Sequence, residues 1–199
     1  MAGHHLILGK LADFITGETL DDTHDERYKQ KLARLLVEDK GYSKNEIEPR
    51  CELLVKAGDL RAIVKVDFKI TLLLSSRSQG ETREKKETPR ICMIVKYGPG
   101  SLVTRQRSAL ASSRLLASYN IPVVVVTNGQ DAHIMDGESG KVISSGLESV
   151  PSRSRLIQLA ENAHFDPISA KQAEMESRIV YVFEIDGSCP CDDTVCRLE

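Results

Sequence analysis

The chain has 199 residues, 41% hydrophobic and 28% charged, which suits one well-buried core in a water-soluble globular domain. A net charge of −2 excludes a global basic field, so any contact with nucleic acid has to come from a local patch. Only 5% of residues are aromatic and none is Trp, which speaks against a platform built for base stacking. No apolar run approaches the ~18 residues of a membrane span, and Leu6-Ile7-Leu8 is too short for the core of a signal peptide. The odd count of five cysteines fits a reducing compartment, so the expected location is the cytoplasm, with no membrane partner.

Taken in chain order, residues 1–20 read as an N-terminal arm: Gly3 and Gly17 break any long helix, and Leu6, Leu8, Leu11 and Phe14 are available to pack. Thr23-His24-Asp25-Glu26 has the Thr-x-x-Glu spacing of a capping box. Tyr28, Leu32, Leu35 and Leu36 then recur at helical spacing until Gly41 ends the helix. Cys51–Ala57 and Ala62–Leu74 are rich in β-branched and leucine residues, and Gly58-Asp59 between them predicts a hairpin turn. Ser75–Pro89 is polar, highly charged and without periodicity, as an exposed flexible loop would be. Ile91–Lys96 is a buried strand running into Gly98-Pro99-Gly100-Ser101. Ser101 or Thr104 is placed to cap a helix reaching about Tyr119, with Leu102, Leu110, Leu115 and Leu116 inward. Ile121–Val126 has the composition of a strand covered on both faces. Thr127-Asn128-Gly129 follows as a turn, then short strands at Ala132–Met135 and Lys141–Ser144, with Asp136-Gly137 starting the loop between them. Helices are predicted over Ser152–Asn162 and Ser169–Asp186, the second β-prone over Ile179–Ile185. The order helix, strand pair, strand, helix, strand is that of a three-layer α/β/α sandwich with a mixed sheet. The division expected is an arm over 1–20, a core domain over 21–150, and C-terminal helices with a cysteine-containing tail over 151–199.

Three features fall on neighbouring strands. Glu52 lies near the start of the hairpin, Asp67 sits between Val66 and Phe68 in its second strand, and Lys96 closes the next strand. An acid and a lysine at one sheet edge can hold Mg²⁺ or Mn²⁺ and activate water. Glu26-Arg27, Gly41-Tyr42, Glu52, Gly58, Asp67, Lys96, Gln106 and Thr127-Asn128-Gly129, in that order over roughly residues 20–145, resemble the N-terminal nuclease domain of type I restriction R subunits, of the PD-(D/E)xK nuclease superfamily. The resemblance implies a restriction-endonuclease-like core that hydrolyses DNA phosphodiesters with Mg²⁺. In it, Asp67 binds metal, Lys96 positions the attacking water, and Gln106 orients the site or the phosphate. One position departs from the pattern: Ile94 stands where the family has an acid two residues before the lysine. Glu52 and Glu26 are the candidates to replace it as ligands, against their plainer readings as a surface strand residue and a helix cap.

Gly98, Gly100 and Ser101 allow close backbone approach to an anion at a helix start, and Arg105, Arg107 and Arg114 add positive charge, which together read as a nucleic-acid contact. The bland alternative is a tight turn with solvated arginines. Cys189, Cys191 and Cys196 crowd the C-terminus; with Cys51 as a fourth ligand they could hold Zn²⁺ or an iron–sulfur cluster, a loose analogy to RecB-like nucleases, whereas Cys92 reads as core. His4 and His5 read as part of an unstructured N-terminus, and Leu198-Glu199 as a cloning remnant. Three functions follow: a Mg²⁺-dependent nuclease, a catalytically inactive relative that binds nucleic acid or a protein partner, and a metal- or redox-sensing module built on the cysteine tail. DNA is the expected partner, with separate restriction or DNA-processing subunits beside it, since this length holds no helicase motor.

Overall fold

A computed structural model describes residues 7–75, 87–186 and 195–198. The arm forms a small antiparallel hairpin of β1 (Lys10–Ala12) and β2 (Thr19–Asp21). α1 (His24–Arg34) follows, with the Thr23 hydroxyl accepting from the Glu26 N–H at 3.1 Å. Only this half of the expected capping box forms, because the Glu26 carboxylate turns to the Gln30 amide at 2.7 Å. The helix widens into a π turn over Leu35–Asp39 and ends before Gly41, whose φ of +77° suits glycine.

β3 (Ile47–Ala57) and β4 (Leu60–Ser75) form the expected hairpin around Gly58, both longer than composition suggested. β5 (Glu87–Tyr97) begins inside the stretch assigned to a loop, since Glu87 to Pro89 pair with the end of β4; residues 76–86, the rest of that loop, lie outside the described residues. α2 (Val103–Leu116) starts after Leu102 with no side-chain cap. Neither Ser101 nor Thr104 plays the expected capping role: the Thr104 hydroxyl donates to the Ser101 carbonyl, and Leu102 is anchored in the core instead. β6 (Val123–Thr127), β7 (Ala132–Asp136) and β8 (Val142–Ser145) complete the main sheet. α3 (Arg153–Glu161) and α4 (Ala170–Val180) are capped by Ser152 and Ser169. The last predicted helix is interrupted: after Val180 it becomes a π turn over Tyr181–Asp186. β9 (Val195–Leu198), which the sequence reading did not foresee, pairs with β4.

Six strands run in the order β3-β4-β5-β6-β7-β8, with β9 added on β4. The β5–β6 pair is parallel across the α2 crossover and the other pairs are antiparallel, so the sheet is mixed and the chain is α/β. Leu32, Leu36 and Leu156 of the α1 and α3 side pack on Ile70, Met93, Val95 and Val125. On the opposite face Leu102 and Ala109 of α2 cover Ile94, Val124 and Val126, and Val180 and Ile185 of the C-terminal helix cover Leu53, Val55 and Val64. The result is three layers, with all five residues of β6 buried as its composition predicts.

β4 changes faces partway along. Val64 and Val66 belong to the core under α2 and α4, whereas Phe68 and Ile70 belong to the core under α1 and α3. Strict alternation would put 64, 66, 68 and 70 on one side. The break falls at Asp67, and the pairing of Pro49 with Phe68 and Cys51 with Val66 leaves Arg50 opposite it, at φ +52°. This disruption directs a carboxylate toward α1 in the middle of a sheet.

Candidate functional site

Asp67 is largely buried, its side chain 7% exposed. One carboxylate oxygen accepts the Tyr97 backbone N–H at 2.7 Å, and the other pairs with the Lys29 ammonium of α1 at 3.1 Å. Tyr97 reinforces the same layer, its ring stacked on Tyr28 with centroids 6.0 Å apart and its hydroxyl donating to Asp25 at 3.0 Å. Burial and the Asp25 charge push the Tyr97 phenol well above its ordinary value, so it stays a donor.

Lys96 lies on the adjacent strand, as expected, but its ammonium is used differently. It bonds the Lys65 carbonyl at 3.2 Å and pairs with Glu184, in the π turn after α4, at 3.1 Å. The two side chains are 9% and 15% exposed, so the pair is largely out of water. Burial alone would raise the Glu184 carboxyl, yet the Lys96 ammonium, the Ser108 hydroxyl and the Arg105 guanidinium hold it below the usual carboxylate range. Asp67 and Lys96 thus sit at neighbouring backbone positions with partners drawn from helices on opposite faces of the sheet. Neither Lys29 nor Glu184 figured in the sequence reading. Glu184 had a usable signal, an acid inside the apolar run Ile179–Ile185; Lys29, on a charged helix, had none.

The other expected residues do not gather at this edge. Ile94 is fully buried in the apolar core under α2. Glu52 is exposed on the hairpin, opposite Lys65. Glu26 accepts from Gln30, which also donates to Asp13. Gln106 turns to His133 of β7 at 2.7 Å. Gly98 is buried beneath the Arg105 guanidinium, which a Cβ there would strike, and Arg105 donates to the Pro99 carbonyl at 3.1 Å. Gly100 and Ser101 are exposed beside the turn after β6, where Asn128 donates to the Gly100 carbonyl at 3.3 Å. Arg107 and Arg114 both pair with Glu176 of α4, at 2.6 and 2.7 Å, a carboxylate 4% exposed.

These residues do not fit a Mg²⁺ or Mn²⁺ ion. A divalent ion needs several converging oxygens, and among the described residues no group of three or more His, Cys, Asp or Glu side chains is arranged to hold one. Asp67 brings a single carboxylate already satisfied by a lysine and a backbone donor. For the cysteine site, Cys189 and Cys191 lie outside the described residues. The backbone of Cys196 pairs with Ile63, and Cys51 is a buried thiol pushed up to about 11 by burial and the neighbouring Glu48.

No curated protein and no solved structure matches the chain. The family model described as type I restriction enzyme R protein N terminus matches residues 24–151, from the first turn of α1 to the approach to α3, which is more than half of the sequence. The chain belongs to the type I restriction enzyme R protein N-terminal family.

Proposed function

We propose that this domain binds DNA in a restriction-type system without cutting it, as an inactive relative of the nuclease domains it resembles. The observation that carries the reading is the separate neutralisation of the two groups on which hydrolysis would depend: Asp67 by Lys29 and Lys96 by Glu184. An apolar Ile94, closed into the core, stands where the second acid would be. Phosphodiester hydrolysis requires charge to stabilise the developing anion, and here the carboxylate and the ammonium stabilise the fold instead. DNA and other restriction subunits are the partners that the family implies. The uncapped start of α2 behind Gly100 and Ser101 offers backbone N–H donors to a phosphate.

The test combines binding and cleavage. Supercoiled plasmid is incubated with Mg²⁺ or Mn²⁺ and wild type, Asp67→Asn or Ile94→Glu, while anisotropy of a labelled duplex follows binding. The expected outcome is salt-sensitive binding by wild type with intact plasmid throughout. Metal-dependent nicking by wild type that Asp67→Asn abolishes would replace this reading with the Mg²⁺-dependent nuclease.

A further inference from the structure

Resting on the DNA-binding reading, we propose that the phosphodiester backbone is held by the outer face of the β3–β4 hairpin, through Lys56, Arg61 and Lys65, and not by the arginines of α2. The α2 arginines are already engaged: Arg107 and Arg114 with Glu176, Arg105 with the Pro99 carbonyl. Lys29 and Lys96 are likewise taken by Asp67 and Glu184. Among the described residues, Lys56, Arg61 and Lys65 have no ion-pair partner, and they share one surface.

Strand alternation creates that surface. Leu53, Val55, Ala62 and Val64 face the core under α4, so Leu54, Lys56, Arg61, Ile63 and Lys65 project from the other side, with Glu52 opposite Lys65 at one end and the Lys56–Arg61 pair toward the turn. Lys56 lies directly opposite Arg61 in the antiparallel pairing. Two like charges in that position repel and weaken the hairpin, an arrangement that an anion laid between them converts into attraction. The next cross-strand pair, Leu54 with Ile63, is apolar, and Leu54 is 50% exposed; such a pair suits the carbon surface of a sugar between two phosphates. Arg61 and Lys65 are four residues apart, roughly 13 Å along a strand, or about four steps of a nucleic-acid strand at ~3.4 Å each. In a chain of net charge −2, this is the local basic patch that DNA binding requires.

Anisotropy of a labelled 20-base-pair duplex and a 20-nucleotide strand is measured over a range of salt for three folded proteins. These are wild type, Lys56→Glu/Arg61→Glu, and Lys141→Glu/Lys171→Glu, a control with the same change in net charge at exposed lysines elsewhere. The hairpin variant is expected to bind at least tenfold more weakly, with a salt slope lower by about two, and the control to stay within about threefold of wild type. Equal binding by wild type and the hairpin variant, or an equal loss in the control, overturns the hairpin assignment while leaving DNA binding itself standing. Failure of wild type to bind either nucleic acid overturns both readings. Binding of labelled poly-glutamate in place of DNA, lost in the hairpin variant, assigns the face to an acidic protein segment and overturns the nucleic-acid assignment.

Discussion

Asp67 and Asp13 show how a carboxylate placed in a sheet or turn becomes a structural element. Asp67 holds Lys29 and the Tyr97 N–H, so removing its charge breaks a largely buried ion pair from one side. Breaking a buried pair from one side costs about 3–5 kcal/mol. Asp67→Ala is therefore expected to lose stability on that scale in urea melts, and Asp67→Ala/Lys29→Met to recover part of it, the coupling of a structural pair. Asp13 lies at the β1–β2 turn, where it accepts from Ile15 and Thr16 backbone N–H groups, Gln30 and Arg50. Burial opposes its charge, but Arg50, Thr16 and Gln30 prevail and hold its carboxyl down to about 2. A depressed folded-state value stabilises the fold above the unfolded value near 3.8, and that stability is lost as pH falls toward 2. The denaturation midpoint should thus fall steeply between about pH 4 and pH 2, and Asp13→Asn should flatten that fall. At this scale Asp67 was legible, because an acid between Val66 and Phe68 has no reason to be in an apolar strand. Its lysine partner was not: a charge on a polar helix face looks the same whether it is solvated or paired.

Among the elements, the long strands and helices were readable from periodicity, and the pieces that local sequence specifies weakly were not. The hairpin at Gly58 and the buried strand β6 follow from pattern, while α2 ends at Leu116 and not near Tyr119 as expected. β1 and β2 are three-residue strands too short for a periodic signal, β9 depends on a partner distant in sequence, and the π turn at Tyr181–Asp186 carries no periodic signal of its own. That turn delivers Glu184 to Lys96, so the site's most consequential contact came from an element boundary. The α2–α4 contact rests on Glu176 between two arginines. Glu176→Ala is expected to cost about 3–5 kcal/mol in chemical denaturation, more than Arg107→Ala alone, whose side chain is 42% exposed. On the hairpin, Lys56→Glu would replace a like-charge pair with an attractive one, raising stability by about 0.2–1 kcal/mol while weakening DNA binding. A gain in melting temperature accompanied by a loss of affinity is what a surface retained for binding should give.

For the whole molecule, element order alone indicated three layers around a mixed sheet, and the fold has them. No helix among the described residues is long and apolar enough to cross a membrane. The family match covers the sheet from β3 to β8 together with α1 and α2. Glu184 and Glu176 lie beyond it, on the C-terminal helical segment that closes over the α2 face. That C-terminal segment thereby supplies the carboxylates that pair with Lys96, Arg107 and Arg114. Among the described residues, no group of three or more His, Cys, Asp or Glu side chains is arranged to hold a divalent ion. Calorimetric titration of Mn²⁺ into the full chain tests this most directly: wild type and Asp67→Asn should give the same negligible heat, whereas a one-to-one binding isotherm in wild type that disappears in Asp67→Asn would contradict the account.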